Sequence, residues 1–88
     1  MTKTERITPD VARERCKHAA ATARARVHRA RMLAAHGREQ EAREASVLAT
    51  ESVVEVRFYR ARARGATLPE AGRHALAYMW PEMEGVRL

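Results

Sequence analysis

The chain has 88 residues, with 17 Lys and Arg against 11 Asp and Glu, which gives a formal net charge of +6 at pH 7. This length predicts a single helical domain over residues 1–88 with a thin core, because short chains bury a smaller fraction of their surface. The single cysteine, Cys16, excludes an internal disulfide and argues against a cysteine-based zinc site. No apolar run approaches the roughly 20 residues that span a bilayer, and the N-terminal residues lack the apolar segment of a signal peptide. We therefore expect no membrane partner and a cytoplasmic location.

The positive charge favours an anionic partner, which could be nucleic acid, the ribosome or an acidic protein. However, 15 of the 17 cations are arginine and 18 residues are alanine, a composition that a GC-rich genome also produces on exposed helices. The charge alone leaves both explanations open.

Two long helices are predicted, over about 8–36 and 38–64. Thr8-Pro9-Asp10 is typical of a helix start, with a capping hydroxyl, proline in the first turn and an acid near the positive end of the dipole. Gly37 and Gly65 can each end a helix in the left-handed conformation. The two helices have similar lengths and a short connection, so we expect an antiparallel hairpin.

A short third helix is predicted over about 67–80, where Thr67 and Glu70 form a T-x-x-E capping box and Pro81 ends the helix. Residues 1–7 form an N-terminal arm and 81–88 a C-terminal tail. At 100° per residue, leucine, glycine, alanine and methionine share one face of this helix. The residues of that apolar face are Leu68, Gly72, Ala75, Leu76 and Met79.

Small residues form a seam along each long helix, which predicts close approach of the two backbones. The predicted seam contains Ala12, Cys16, Ala19, Ala23, Val27, Ala30 and Ala34 in the first helix and Ala42, Ala45, Ala49, Ser52, Val56, Tyr59 and Ala63 in the second. A basic stripe lies beside the first seam, at Arg13, Lys17, Arg24, His28 and Arg31. A turn at Gly37 places four oppositely charged pairs across the hairpin: Arg31 with Glu44, Arg24 with Glu51, Lys17 with Glu55 and Glu14 with Arg60.

A second apolar stripe, at Val47, Val54, Phe58 and Ala61, lies opposite the seam of the second helix, which predicts burial on both sides. The third helix can cover Phe58 and Ala61 but is too short to reach Val47. We therefore predict a homodimer with four long helices in a bundle. The expected partner interface is Val47, Val54, Phe58, Met79 and Trp80.

No arrangement of residues predicts catalysis, a metal site or a cofactor. The histidines, at 18, 28, 36 and 74, contain no i, i+4 pair of the kind that binds metal on a helix, and no glycine-rich phosphate loop is present. An all-α enzyme would need a pocket lined by several arginines. We keep this as a third hypothesis.

The densest positive charge lies at the end of the second helix, where residues 56–64 contain four arginines and no acid. Arginine suits bidentate contact with phosphate. We therefore predict a nucleic-acid contact through Arg57, Arg60 and Arg64, extended by Lys3 and Arg6 of the arm. Alternatively, these cations compensate the helix dipole and pair with Asp10 and Glu14. A further alternative function is a protein-binding adaptor or assembly subunit that docks through the apolar stripe and the aromatic segment Tyr78–Trp80.

Overall fold

A computed structural model describes residues 7–81, and over this range the chain is all-helical, with no strand. Helix α1 spans Pro9–Ala35, α2 spans Glu39–Ala63 and α3 spans Leu68–Leu76. Helices α1 and α2 pack together as a hairpin, and α3 packs on α2 without contacting α1. The predicted all-α arrangement of two long helices and one short helix is confirmed. None of the three helices combines the length and the apolar character needed to cross a membrane.

Both long helices end in the same hydrogen-bonded turn around a glycine. After α1, Gly37 has φ +73° and the Arg38 amide donates to the Leu33 carbonyl at 3.0 Å. After α2, Gly65 has φ +94° and the Ala66 amide donates to the Ala61 carbonyl at 3.0 Å. This is the Schellman arrangement, which satisfies carbonyls that have no partner within the helix. The predicted glycine caps are confirmed.

Threonine caps the start of α1 and of α3. The Thr8 hydroxyl accepts a hydrogen bond from the Val11 amide at 3.2 Å, and the Thr67 hydroxyl accepts one from the Glu70 amide at 3.3 Å. The predicted starts are therefore correct to within one residue.

The predicted end of α3 is wrong by three to four residues, because the regular helix stops at Leu76. Beyond it, the Tyr78 and Met79 amides donate to carbonyls only three residues back, which tightens the chain into turns. Pro81 disfavours the helical conformation at Trp80, so the helix cannot resume there.

The core of the hairpin is mainly alanine. Two clusters fill it: Ala30, Leu33, Ala42 and Ala45 near the turn, and Ala19, Ala23 and Val56 further from it. Every seam residue predicted in α2 is buried or half-buried. In α1, Leu33 is buried in place of the predicted Ala34, which is exposed, because the leucine side chain reaches the space between the helices from the neighbouring position.

Helix α3 packs through two alanines, Ala71 and Ala75, which are 0% and 2% exposed. The face predicted from the sequence is rotated relative to this, since Leu68 is 61% exposed and Met79 47% exposed. Small residues at the contact allow close packing of α3 on α2, and the larger apolar side chains lie at the edge of that contact. Phe58, Ala61 and Val54 of α2 become half-buried, and Val47 stays 59% exposed.

The register of the hairpin agrees with the prediction, but the predicted ion pairs across it do not form. Arg26 of α1 donates to the Leu48 carbonyl at 3.1 Å, and the Cys16 thiol donates to the Val56 carbonyl at 3.7 Å. Three ion pairs within residues 7–81 join residues three apart in sequence instead: Arg13 with Asp10, Lys17 with Glu14 and Arg38 with Glu41.

The physical reason is that Lys17 and Glu55 lie on opposite sides of the hairpin. Lys17 lines a groove with Arg60, whereas Glu55 lines a different cavity with Arg15. The basic stripe of α1 therefore forms no ion pair with Glu44, Glu51 or Glu55 of α2.

Candidate functional site

Four cations from the two long helices line one groove at the open end of the hairpin. Arg13 and Lys17 of α1 form one side, and Arg60 and Arg64 of α2 form the other. The floor consists of small apolar residues, Cys16, Ala20 and Ala63, and the groove encloses about 460 Å³. We call this feature the basic groove.

Helix geometry and register place the four side chains. Arg13 and Lys17 lie four residues apart, as do Arg60 and Arg64, so each pair occupies one face of its helix, one turn apart. The alanine seam brings the helices close, so the two rows lie on either side of a floor of small residues. The sequence contained the signal for this arrangement, since the predicted register already placed position 60 near position 14.

The cations of the groove differ in their partners. Arg13 pairs with Asp10 on its own helix, and the Lys17 ammonium lies 3.4 Å from the Glu14 carboxylate. Both pairs are largely exposed and so contribute only about 0–1 kcal/mol. Arg60 and Arg64 have no ion pair or hydrogen bond to another side chain of residues 7–81. The alternative prediction, that Arg60 and Arg64 pair with Asp10 and Glu14, is therefore wrong, because these two acids pair with Arg13 and Lys17 of their own helix.

A second cavity of about 350 Å³ continues along the same side of α1. Three cationic or titratable residues of the basic stripe line it, and its apolar lining is alanine and valine. The lining residues are Ala23, Arg24, Val27, His28, Arg31 and Val53. The basic surface therefore extends from the open end of the hairpin toward its turn.

Arg57 was predicted together with Arg60 and Arg64, but the structure places it elsewhere. Its Nε and Nη2 atoms both donate to the His74 carbonyl, at 3.1 and 2.9 Å, and its guanidinium lies 5.9 Å from the ring centre of Tyr78. Arg57 thus attaches the last turn of α3 to α2, and it is not among the residues that line the basic groove.

Arg62 also has a structural position. Its Nη1 donates to the Ala66 carbonyl at 2.9 Å and its Nη2 to the Ile7 carbonyl at 3.3 Å, while its buried Nε has no hydrogen-bond partner among residues 7–81. The side chain links the segment before α1 to the loop after α2. Lys3 and Arg6, the other predicted nucleic-acid contacts, lie outside residues 7–81.

The residues predicted to contact a second chain are only partly covered by α3. Val54 and Phe58 are half-buried, whereas Val47, Met79 and Trp80 are 59%, 47% and 48% exposed. Tyr78 lines a cavity with Ser46 and Thr50, which places the segment after α3 at the level of Val47. An apolar surface therefore remains along the middle of α2.

The other side of the hairpin carries a polar cavity of about 380 Å³. Arg15, His18, Arg26, Glu55 and Tyr59 contribute to its lining. Arg26 is engaged with Ser52, whose oxygen accepts a hydrogen bond from Nη1 at 2.7 Å, and Arg15 lies over the ring of Tyr59 at 5.9 Å. Two arginines and a glutamate thus face this cavity.

Within residues 7–81, no group of three or more His, Cys, Asp and Glu side chains is placed to hold a metal ion. Comparison of the chain with protein-family models, with curated proteins and with solved structures finds no match.

Proposed function

We propose that this protein is a self-associating helical module that binds nucleic acid through phosphate contacts in the basic groove. The observation that carries the proposal is the meeting of Arg13, Lys17, Arg60 and Arg64, from two different helices, around one groove. Charges on one helix face are common, but cations that converge from two elements favour a shared anionic ligand.

The chemistry of these side chains suits phosphate. Arginine presents a planar fork of donors that matches the phosphate oxygens, and lysine acts as a point charge. Arg60 and Arg64 have no carboxylate partner within residues 7–81, so they can bind a phosphate without first breaking an ion pair. The pairs of Arg13 and Lys17 are exposed, so their replacement by phosphate costs little.

The test is the salt dependence of nucleic-acid binding, measured by fluorescence anisotropy with a labelled oligonucleotide. Binding through phosphates releases counterions, so affinity should fall steeply as salt rises from about 50 to 200 mM. Affinity that does not change with salt, or no binding at low salt, would reject the proposal.

A matched pair of variants locates the contact. Arg60→Gln removes a cation of the basic groove, whereas Arg29→Gln removes an exposed cation of α1 that does not line it. Arg60→Gln should weaken binding roughly three- to tenfold and reduce the salt slope by about 1. Arg29→Gln should change the affinity by less than about twofold, since it removes only distant charge. Equal losses in both variants would show that net charge, and not the groove, determines binding.

Self-association is the second part of the proposal, and the exposed apolar surface of Val47, Met79 and Trp80 supports it. A second copy of the chain would cover this surface and supply the further helices of a four-helix bundle.

The same apolar surface favours an alternative function, a protein-binding adaptor or assembly subunit. The two functions differ in the type of partner. A complex that survives nuclease treatment and moderate salt would favour the adaptor, because apolar contacts are not screened by salt.

A further inference from the structure

The shape and lining of the basic groove bear on which form of nucleic acid it can bind. The basic groove and its continuation past Arg24 and Arg31 lie on one side of the hairpin. From residue 13 to residue 31 the axis of α1 advances about 27 Å. Along the axis of a duplex this length corresponds to about eight base pairs at 3.4 Å each, and a straight groove meets the phosphates of a strand only where that strand crosses it.

None of the side chains that line these two cavities is aromatic. Four aromatic residues lie within residues 7–81, at positions 58, 59, 78 and 80. Phe58 and Tyr59 pack edge to face, with ring centres 5.2 Å apart, and Tyr59 lines the cavity on the opposite side. Tyr78 contacts the Arg57 guanidinium and lines a cavity that adjoins the continuation and shares Val27, Arg31 and Val53 with it. Trp80 is 48% exposed and lines neither the basic groove nor its continuation.

This lining matters because proteins that bind single strands gain much of their affinity by stacking unpaired bases on aromatic rings. The floor of alanine, cysteine and valine offers no such surface. A duplex keeps its bases stacked on one another, so it loses nothing when it presents only its backbone to the groove.

The side chains that usually read adenine are also scarce. The chain has no asparagine, and its one glutamine, Gln40, lies at the start of α2 and donates to Glu44. Asn and Gln are the usual partners of adenine in the major groove. The arginines of the basic groove flank a floor of small apolar residues.

We infer that the basic groove binds the sugar-phosphate backbone of double-stranded nucleic acid without regard to sequence. This inference rests on the proposed function. It adds the class of nucleic acid and the mode of recognition.

The experiment compares charge-matched ligands at one salt concentration by fluorescence anisotropy. The ligands are duplexes of about 20 base pairs in two unrelated sequences, as DNA and as RNA, and single strands of about 40 nucleotides with the same total charge. At least one type of duplex should bind about fivefold more tightly than its matched strand, and its two sequences should agree within about threefold.

Single strands that bind as tightly as both types of duplex would overturn the inference and leave the proposed function standing. A stronger preference between the two sequences would overturn the sequence-independent mode alone. If neither duplex nor strand binds at low salt, the proposed function fails and the inference fails with it.

Discussion

At the scale of single residues, two sets of arginines that look alike in the sequence have different positions in the structure. Arg26, Arg57 and Arg62 donate to backbone carbonyls of other segments and hold the three helices together. Arg60 and Arg64 contact no acid of residues 7–81 and face a groove. The position of an arginine relative to distant carbonyls, and not its spacing along the helix, decides which group it joins.

Arg57→Met should destabilise the protein, because it removes both hydrogen bonds to the His74 carbonyl while keeping a side chain of similar length. The expected loss is about 1–2 kcal/mol of the free energy of unfolding, measured by urea denaturation. Arg60→Met is the control and should change stability by less than about 0.5 kcal/mol, as exposed positions usually do. Equal effects would mean that the Arg57 contact contributes nothing specific.

At the scale of secondary-structure elements, the hairpin depends on close approach of α1 and α2 along alanine. Each alanine buries little area, so the interface gains stability from the fit of two backbones more than from large apolar side chains. Such an interface tolerates little added volume.

Ala19→Leu should therefore destabilise the hairpin, whereas Ala21→Leu should not. Ala19 is 6% exposed and lies in a core cluster, while Ala21 is exposed two residues further along the same helix. Overpacking at Ala19 should cost about 1–3 kcal/mol, and the exposed change should stay within about 0.5 kcal/mol. Thermal or urea unfolding of both variants measures the difference, and a neutral Ala19→Leu would contradict close packing of the seam.

The turn between the long helices gives a second prediction at this scale. Gly37 has φ +73°, and no atom lies within 4 Å of the position where a Cβ would be added. Gly37→Ala should therefore cost about 1 kcal/mol through backbone conformation alone, and Gly37→Asn should cost less, because asparagine tolerates the left-handed region. Urea denaturation distinguishes them. Equal destabilisation by both variants would show that a contact, and not φ, determines the cost.

The sequence predicts this level of structure well where the signals are local. Caps at Thr8 and Thr67 and glycines at 37 and 65 each act within a few residues, and their predicted roles are confirmed. The predicted end of α3 is wrong because the chain forms tighter turns at Tyr78 and Met79, which the spacing of apolar residues does not reveal.

The candidate site was predicted only in part, since its geometry depends on contacts distant in sequence. Arg60 and Arg64 were expected to act together, and they do share a groove. The sequence could not separate Arg57 from these two, because its partner, the His74 carbonyl, lies on another helix. The predicted pair of Lys17 with Glu55 is wrong. The register of the hairpin fixes which residues lie at the same level, but it does not fix on which side of the hairpin each side chain lies.

At the scale of the whole molecule, the protein is elongated, with extents of 47 × 28 × 27 Å and a radius of gyration of 15.1 Å. A compact globule of this length would have a radius of gyration of about 12 Å. A long hairpin with one short helix on its side therefore exposes more surface than a globular chain, and part of it is apolar.

Val47→Asp should reduce self-association, because it places a charge in the exposed apolar surface of α2. The weight-average mass, measured by light scattering over a range of concentrations, should shift toward that of one chain. Val11→Asp is the control, since it makes the same change at another exposed valine, at the start of α1. A wild-type protein that stays at the mass of one chain at all concentrations would contradict the predicted dimer.

The alanine seam also sets the distance between the two rows of cations, because the separation of the helix axes depends on the size of the residues between them. The spacing of the positive charges is therefore a property of the core. A larger residue in place of Ala63, a seam residue at the floor of the basic groove, would move Arg13 and Lys17 away from Arg60 and Arg64. Affinity for a polyanion could then change while every charged side chain stayed the same.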